Sequence, residues 1–132
     1  MVAHVVAPAA EIPPGARHVT EAAGKRIVVF NLGGEFFALA DRCPHQGGPL
    51  SAGPVMGAVH SDCPGQYAYD RRGEILRCPW HAWEFDIRTG RSVFDPKRIK
   101  TRAYEARTAC GAELQAETFP VRVEERYVVV EV

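Results

Sequence analysis

Two short stretches constrain this chain more than anything else in it: Cys43-Pro44-His45-Gln46-Gly47-Gly48 and Cys78-Pro79-Trp80-His81-Ala82-Trp83. Each opens with a cysteine followed directly by proline, and each places a histidine two or three positions on. Proline holds φ near about −65°, so both cysteines lead into loops of restricted backbone. Gly47, Gly48 and Gly53 permit tight turns that bring backbone N–H groups towards sulfur. Two loops of this kind, facing each other, offer two thiolates and two imidazoles. A tetrahedral zinc site uses that donor set. So does a [2Fe–2S] cluster with both cysteines on one iron and both histidines on the other. Ligand type alone leaves the choice open.

The surroundings of the two motifs are β-rich. Lys25–Leu32 is dense in β-branched residues, Gly33-Gly34 follows, and 35–42 (EFFALADR) reads as the returning strand of a hairpin. Residues 119–132 read as a second hairpin turning near Glu124-Glu125, with Val121 and Val123 alternating against Arg122 and Glu124. Weaker strands are expected over 16–22 and 59–62. Residues 71–78 read as a turn at Gly73 leading into a strand, and 83–94 as strand, turn at Thr89-Gly90, strand. The best helical candidate, 99–107, is short. Each cysteine motif leaves a strand, at Ala38–Arg42 and Glu74–Arg77, and enters a loop. Ten prolines and twelve glycines suit many turns, so the pattern is an all-β domain of short strands.

A length of 132 residues argues for one domain. Sixteen basic residues balance sixteen acidic ones, which gives no support for nucleic-acid binding or a basic membrane patch, so electrostatic partner choice must come from local patches. No apolar run approaches the roughly 18 residues of a membrane span. The N-terminal stretch lacks a basic region followed by a long apolar core, so a signal peptide is not expected and the cytoplasm is the expected compartment. Four cysteines in such a compartment favour metal binding or free thiols over disulfides. The chain carries none of the glycine-rich nucleotide or dinucleotide motifs and no nucleophile elbow, and no pair of carboxylates is placed for acid–base work.

Taken with their flanks, 43–53 (CPHQGGPLSAG) and 78–90 (CPWHAWEFDIRTG) resemble the Rieske [2Fe–2S] family, in the form of small ferredoxins and of the N-terminal domains of ring-hydroxylating oxygenases. The resemblance spans roughly residues 15–132 and is weakest before 15 and across 96–118. It implies a β-sandwich or barrel base carrying a smaller cluster-binding subdomain, here about 42–92, within a single domain over 1–132. It implies one [2Fe–2S] cluster per chain. Cys43 and Cys78 would hold the inner iron, and His45 and His81 the outer, reducible one. A catalytic domain holding iron with two histidines and a carboxylate follows in oxygenases, and 132 residues leave no room for one.

A third motif competes. Between His45 and Cys78 lie 32 residues, about twice the gap in many proteins that this one resembles, whereas only 17 separate His45 from Cys63. In Cys63-Pro64-Gly65-Gln66, however, glutamine stands where the histidine belongs, and a neutral amide is a poor iron ligand beside imidazole. Cys78 and His81 are therefore preferred, and 54–73 becomes an insertion, expected as an extra hairpin. Cys63 and Cys110 read as small apolar packing residues, with nothing to support a disulfide between them. His4, His18 and His60 read as surface or strand histidines.

The same comparison bears on redox potential. High-potential Rieske proteins carry a disulfide between the cluster loops, and the corresponding positions here are Gly48 and Trp80. Those proteins also place serine and tyrosine hydroxyls near the cluster sulfurs, where this chain has Trp83 and Phe85. Fewer donors stabilise the reduced state less, so a potential around −150 mV is expected instead of about +300 mV. That suits a one-electron carrier between a flavin-dependent reductase and a terminal oxygenase, itself doing no bond chemistry. The alternatives are a cluster-bearing accessory subunit of a larger reductase, similar to the small subunit of assimilatory nitrite reductase, and a zinc-binding interaction module on the same four residues.

Overall fold

The structure is a computed structural model and describes residues 2–63, 66–114, 121–122 and 125–132, without the side chains of 58–63 and 66–72. Ten strands are described: β1 (Ala3–Pro8), β2 (Arg17–Ala22), β3 (Lys25–Leu32), β4 (Glu35–Ala40), β5 (Val55–Cys63), β6 (Gln66–Arg77), β7 (Glu84–Asp86), β8 (Ala103–Tyr104), β9 (Ala106–Cys110) and β10 (Arg126–Glu131). The only helical turns among the described residues are three short 3-10 turns, at Ala9–Glu11, Leu50–Ala52 and Gly111–Glu113. The chain is all-β, and it divides into two compact units, one of Met1–Ala40 with Ala103–Val132 and one of Asp41–Arg102.

The first unit holds two antiparallel sheets, ordered β1-β10-β9 and β2-β3-β4-β8. β3 is paired on one side with β2 and on the other with β4, and neither face of its middle is open to solvent. Its run Ile27, Val28, Val29, Phe30 is accordingly buried without alternation. Gly33 and Gly34 both take positive φ, +63° and +101°, in the two-residue connection that returns the chain into β4. Buried Asn31 fixes this corner: its Nδ2 donates to the Ile12 carbonyl at 2.7 Å, and its Oδ1 accepts the Gly34 N–H at 2.8 Å. Val6, Ile12, Ile27, Val29, Val128 and Val130, contributed by both sheets, pack into one core.

Three expectations are tested in this unit. Residues 99–107 form no helix: they run into β8 and β9, which pair with β4 and β10 and bury Tyr104 and Ala109. The hairpin expected over 119–132 lies partly outside the described residues, and its described strand, β10, has β1 on one side and β9 on the other. Both ladders of β10 are thus filled, and Val121–Arg122 lie outside any strand. The expected turn at Glu124 falls partly outside the described residues. Third, β1 was not expected, yet it pairs with β10 along most of its length.

The second unit is built on the sheet β5-β6-β7, with Leu50, Ile75, Leu76, Phe85 and Ile87 fully buried. Residues 54–73 supply most of the β5–β6 hairpin. Gly73, expected to start a turn, lies inside β6 at φ +80°. The register there jumps from Met56↔Ile75 to Ala58↔Asp70, so the chain bulges around Gly73 instead of reversing. Cys63 pairs with Gln66 at the far end of this hairpin, so the competing third motif closes a ladder.

Candidate cluster site

Two loops leave this sheet region, and they share one backbone design. In the first, the Cys43 N–H donates to the Gly48 carbonyl at 2.8 Å, and the Gly47 N–H donates to the Cys43 carbonyl at 2.8 Å. In the second, the Cys78 N–H donates to the Trp83 carbonyl at 2.7 Å, and the Ala82 N–H donates to the Cys78 carbonyl at 3.1 Å. The spacing from each cysteine is identical, and the fourth residue on is left-handed in both, Gly47 at φ +79° and Ala82 at φ +59°. The loops differ in where the histidine sits and in what fills the left-handed position.

Other side chains hold these loops in place. Asp41, buried beside the first loop, accepts the Ser51 N–H at 2.6 Å and the Ser51 hydroxyl at 2.7 Å. Thr101, also buried, donates its hydroxyl to the Arg42 carbonyl at 3.1 Å. The end of the first loop is fastened to the start of the second, since the Arg77 N–H donates to the Pro54 carbonyl at 2.9 Å. A Cβ on Gly53 would lie 1.7 Å from the Arg77 carbonyl oxygen. Gly53 is therefore required by close approach and not by turn geometry. The same holds for Gly48, where a Cβ would lie 2.9 Å from the Trp80 ring and 3.1 Å from the Cys78 sulfur. None of Asp41, Ser51 and Thr101 was singled out from the sequence, where a lone acid or hydroxyl near a cysteine carries no signal.

The four expected ligands come together in two layers. Cys43 and Cys78 are both 2% exposed, with their sulfurs within hydrogen-bonding reach of each other. Burial pushes the Cys43 thiol up, and the neighbouring Cys78 sulfur adds to that, while the N–H groups of His45 and Gln46 pull it down. His45 and His81 are exposed, with ring centroids 4.9 Å apart at an interplanar angle of 78°. Trp83 lies flat on His45, centroids 4.2 Å apart and planes within 7°. Two buried sulfurs on one side and two exposed imidazoles on the other fit a two-iron group, with sulfur donors for one iron and nitrogen donors for the other.

The remaining sequence candidates lie elsewhere. Cys110 is half-buried at the end of β9. His4 and His18 are half-buried on β1 and β2. The side chains of His60 and Cys63 lie outside the described residues.

An all-β scaffold presenting sulfur inside and imidazole outside defines an iron–sulfur electron-transfer protein. The family model of the Rieske [2Fe-2S] domain matches residues 2–105, and the chain belongs to that family, with a Rieske-type [2Fe–2S] cluster as its cofactor. The match begins at β1 and stops short of β9 and β10, where the sequence resemblance was placed over roughly 15–132. The biphenyl dioxygenase ferredoxin subunit of Pseudomonas sp. (strain KKS102) is 28% identical over 97 residues, covering 74% of this chain and 75% of that one. The 3-phenylpropionate/cinnamic acid dioxygenase ferredoxin subunit of Escherichia coli (strain K12) is 30% identical over 85 residues, 64% of this chain and 66% of that one. Among solved structures, the ferredoxin of carbazole 1,9a-dioxygenase from Nocardioides aromaticivorans IC177 superposes with a TM-score of 0.62 at 22% identity over 97% of both chains. The chain is thus a Rieske-domain protein similar to ferredoxin-type electron carriers, and no helix among its described residues is long and apolar enough to cross a membrane.

Proposed function

We propose that Cys43, His45, Cys78 and His81 hold the cluster, and that the chain carries single electrons from a flavin-dependent reductase to a ring-hydroxylating oxygenase. The observation that carries this reading is the matched pair of loops, which bury both cysteines and expose both histidines. When bound, the cluster supplies a store for one electron at a time.

The protein's own part is positioning and exclusion. Cys43 and Cys78 sit where water does not reach, which favours covalent thiolate–metal bonding over hydration of sulfur. The N–H groups of His45 and Gln46, directed at the Cys43 sulfur, stabilise negative charge there. His45 and His81 present their imidazoles to solvent, so a partner docking on them comes within a short distance of the ligand shell. Trp83 braces His45 in one orientation. On this reading the cluster-bearing part is the unit Asp41–Arg102, and the cysteine usage supports a cytoplasmic location.

Two facts support the oxygenase as electron acceptor: the two relatives above are dioxygenase ferredoxin subunits, and a solved complex of oxygenase and ferredoxin in carbazole 1,9a-dioxygenase contains a chain of this fold (23% identity, TM-score 0.61). The test is anaerobic. The holo-protein is mixed with a flavin reductase and a reduced nicotinamide, and the visible spectrum is followed. Bleaching of the cluster bands, then their return when an oxidised dioxygenase oxygenase component is added, is the expected result. A cluster that stays oxidised with every such reductase, or that the oxygenase cannot reoxidise, refutes the assignment of partners.

A further inference from the structure

Formal charge sums to zero over the chain, yet it is unevenly placed. The unit Asp41–Arg102 carries ten basic and seven acidic residues, leaving the remainder with the opposite imbalance. The positive charge is concentrated in one segment, where Arg88, Arg91, Lys97, Arg98, Lys100 and Arg102 are all exposed and Asp95 is the only acid. Arg88 pairs with Glu74 at 2.9 Å. Arg91, Lys97, Arg98 and Lys100 make no ion pair among the described residues. Four cations are thus held together without local neutralisation.

The segment is an ordered arm. Arg91 bridges Lys100, the Ser92 N–H donates to the Ile99 carbonyl at 2.9 Å, and the Thr101 N–H donates to the Gly90 carbonyl at 2.8 Å. At its tip the buried Ser92 hydroxyl accepts both the Phe94 N–H at 3.2 Å and the Asp95 N–H at 3.1 Å. This holds Phe94 in a fixed place while it is 93% exposed, beside Val93 at 44%. Phe94 and Val93 together leave apolar surface on a braced turn, in reach of a partner. Beneath it lies an open recess of about 600 Å³ lined by Ala82, Trp83, Val93, Phe94 and Ile99. Trp83 is the residue stacked on His45, and Ala82 follows His81 in the chain, so the recess lies next to the histidine pair. Glu84, the one acid at its wall, is offset by Arg77 at 3.8 Å.

We propose that the arm 91–100 is the docking face for the protein that exchanges electrons with this chain, and that the partner's matching face is acidic, closing over Phe94 as its apolar anchor. The inference rests on the electron-carrier reading but not on the identity of the oxygenase. Unpaired cations around an exposed aromatic give both parts of a transient interface: long-range attraction raises the encounter rate, and the buried aromatic holds the pair in register.

The experiment follows oxidation of the reduced holo-protein by stopped flow with three oxidants: ferricyanide, hexaammineruthenium(III) and the acidic haem protein cytochrome b5. The expected result is that rising salt slows the ferricyanide reaction and speeds the ruthenium one. Lys97→Glu/Arg98→Glu/Lys100→Glu reverses both dependences and slows cytochrome b5 reduction by roughly ten-fold at low salt. Lys97→Gln alone shifts each rate less and in the same direction, which covers failure of the triple variant to load its cluster. Phe94→Ser leaves both small-oxidant rates unchanged and weakens the apparent affinity for cytochrome b5 by roughly ten-fold. Salt dependences of the same sign for both small oxidants, or dependences untouched by the charge reversals, overturn the proposal. So does a Phe94→Ser protein that reduces cytochrome b5 like the parent, or a concentration-dependent dimer in sedimentation that Phe94→Ser abolishes, since the face would then serve a second copy. Failure of the oxygenase to accept electrons, with these dependences intact, removes the partner assignment and leaves the acidic-partner face standing.

Discussion

The imidazole of His45 lies parallel to the indole of Trp83, ring centroids 4.2 Å apart, and meets His81 edge-on at 4.9 Å. Trp83 thus sets the plane of a proposed ligand that the polypeptide otherwise leaves exposed. An aromatic stack of this kind contributes about 1 kcal/mol beyond area burial. Trp83→Ala is expected to shorten the lifetime of the cluster in air roughly five-fold, read from decay of the visible bands, whereas Trp83→Phe keeps most of it. Equal lifetimes for the two variants would show that the stack does not brace His45.

Phe85 is fully buried on β7, paired with Leu76 one strand away. By the sequence resemblance, it stands where high-potential Rieske proteins carry a hydroxyl donor. The native protein is expected at about −150 mV, the low end of the Rieske range. Phe85→Tyr adds one donor worth about 1 kcal/mol to the reduced state, which for a one-electron couple is a rise of roughly 40 mV. Potentiometric titration of both proteins checks this. A native midpoint above zero, or a fall in Phe85→Tyr, contradicts the account of the potential.

Ala82 takes φ +59° at the position that Gly47 fills in the other loop. A Cβ in the left-handed region costs about 1 kcal/mol. Ala82→Gly is therefore expected to raise the stability of the protein by up to about 1 kcal/mol, and Gly47→Ala to lower it by at least as much. Gly47→Ala also brings its Cβ 3.3 Å from the Arg42 side chain. Denaturant unfolding of the three proteins, with the cluster intact at the start, gives the comparison. The sign for Ala82→Gly is the informative one.

Gly53 and Gly34 separate two reasons for glycine. A Cβ at Gly34 meets nothing within 4 Å, and the cost there is the positive φ alone, about 1–2 kcal/mol. At Gly53 φ is ordinary, −83°, and the cost is collision with the Arg77 carbonyl, the residue next to Cys78. Gly34→Ala should retain full iron content and melt a few degrees lower. Gly53→Ala must part the two loops and is expected to lose most of its iron, measured as iron per chain after purification. Comparable iron in both would mean that the loops are not fastened at this point.

The legible parts of this chain were those decided locally. Lys25–Leu32, Gly33-Gly34 and Glu35–Ala40 announce a hairpin through β-branched density and two glycines, and the structure has it. Cys43, His45, Cys78 and His81 stood out because their types and spacing are rare together, and the structure pairs the two cysteines and the two histidines. Elements decided by distant partners were not. Residues 106–110 have no clear alternation, and β9 forms because β10 offers an edge. β1 is short and ends in proline, and its pairing with β10 lies over a hundred positions away. The left-handed Ala82 was invisible, since nothing in an alanine signals it. The basic arm was hidden by averaging: a net charge of zero concealed four unpaired cations beside the histidines.

The central claim is that Cys43, His45, Cys78 and His81, and not the nearer Cys63, form the cluster cage. The most direct measurement is electron paramagnetic resonance with resolved nitrogen couplings on the reduced protein, taken for the native chain, Cys63→Ser and Cys78→Ser. The account predicts one [2Fe–2S] signal per chain coupled to two histidine nitrogens, unchanged in Cys63→Ser and lost in Cys78→Ser. A signal lost in Cys63→Ser and kept in Cys78→Ser, or one coupled to a single nitrogen, would contradict it.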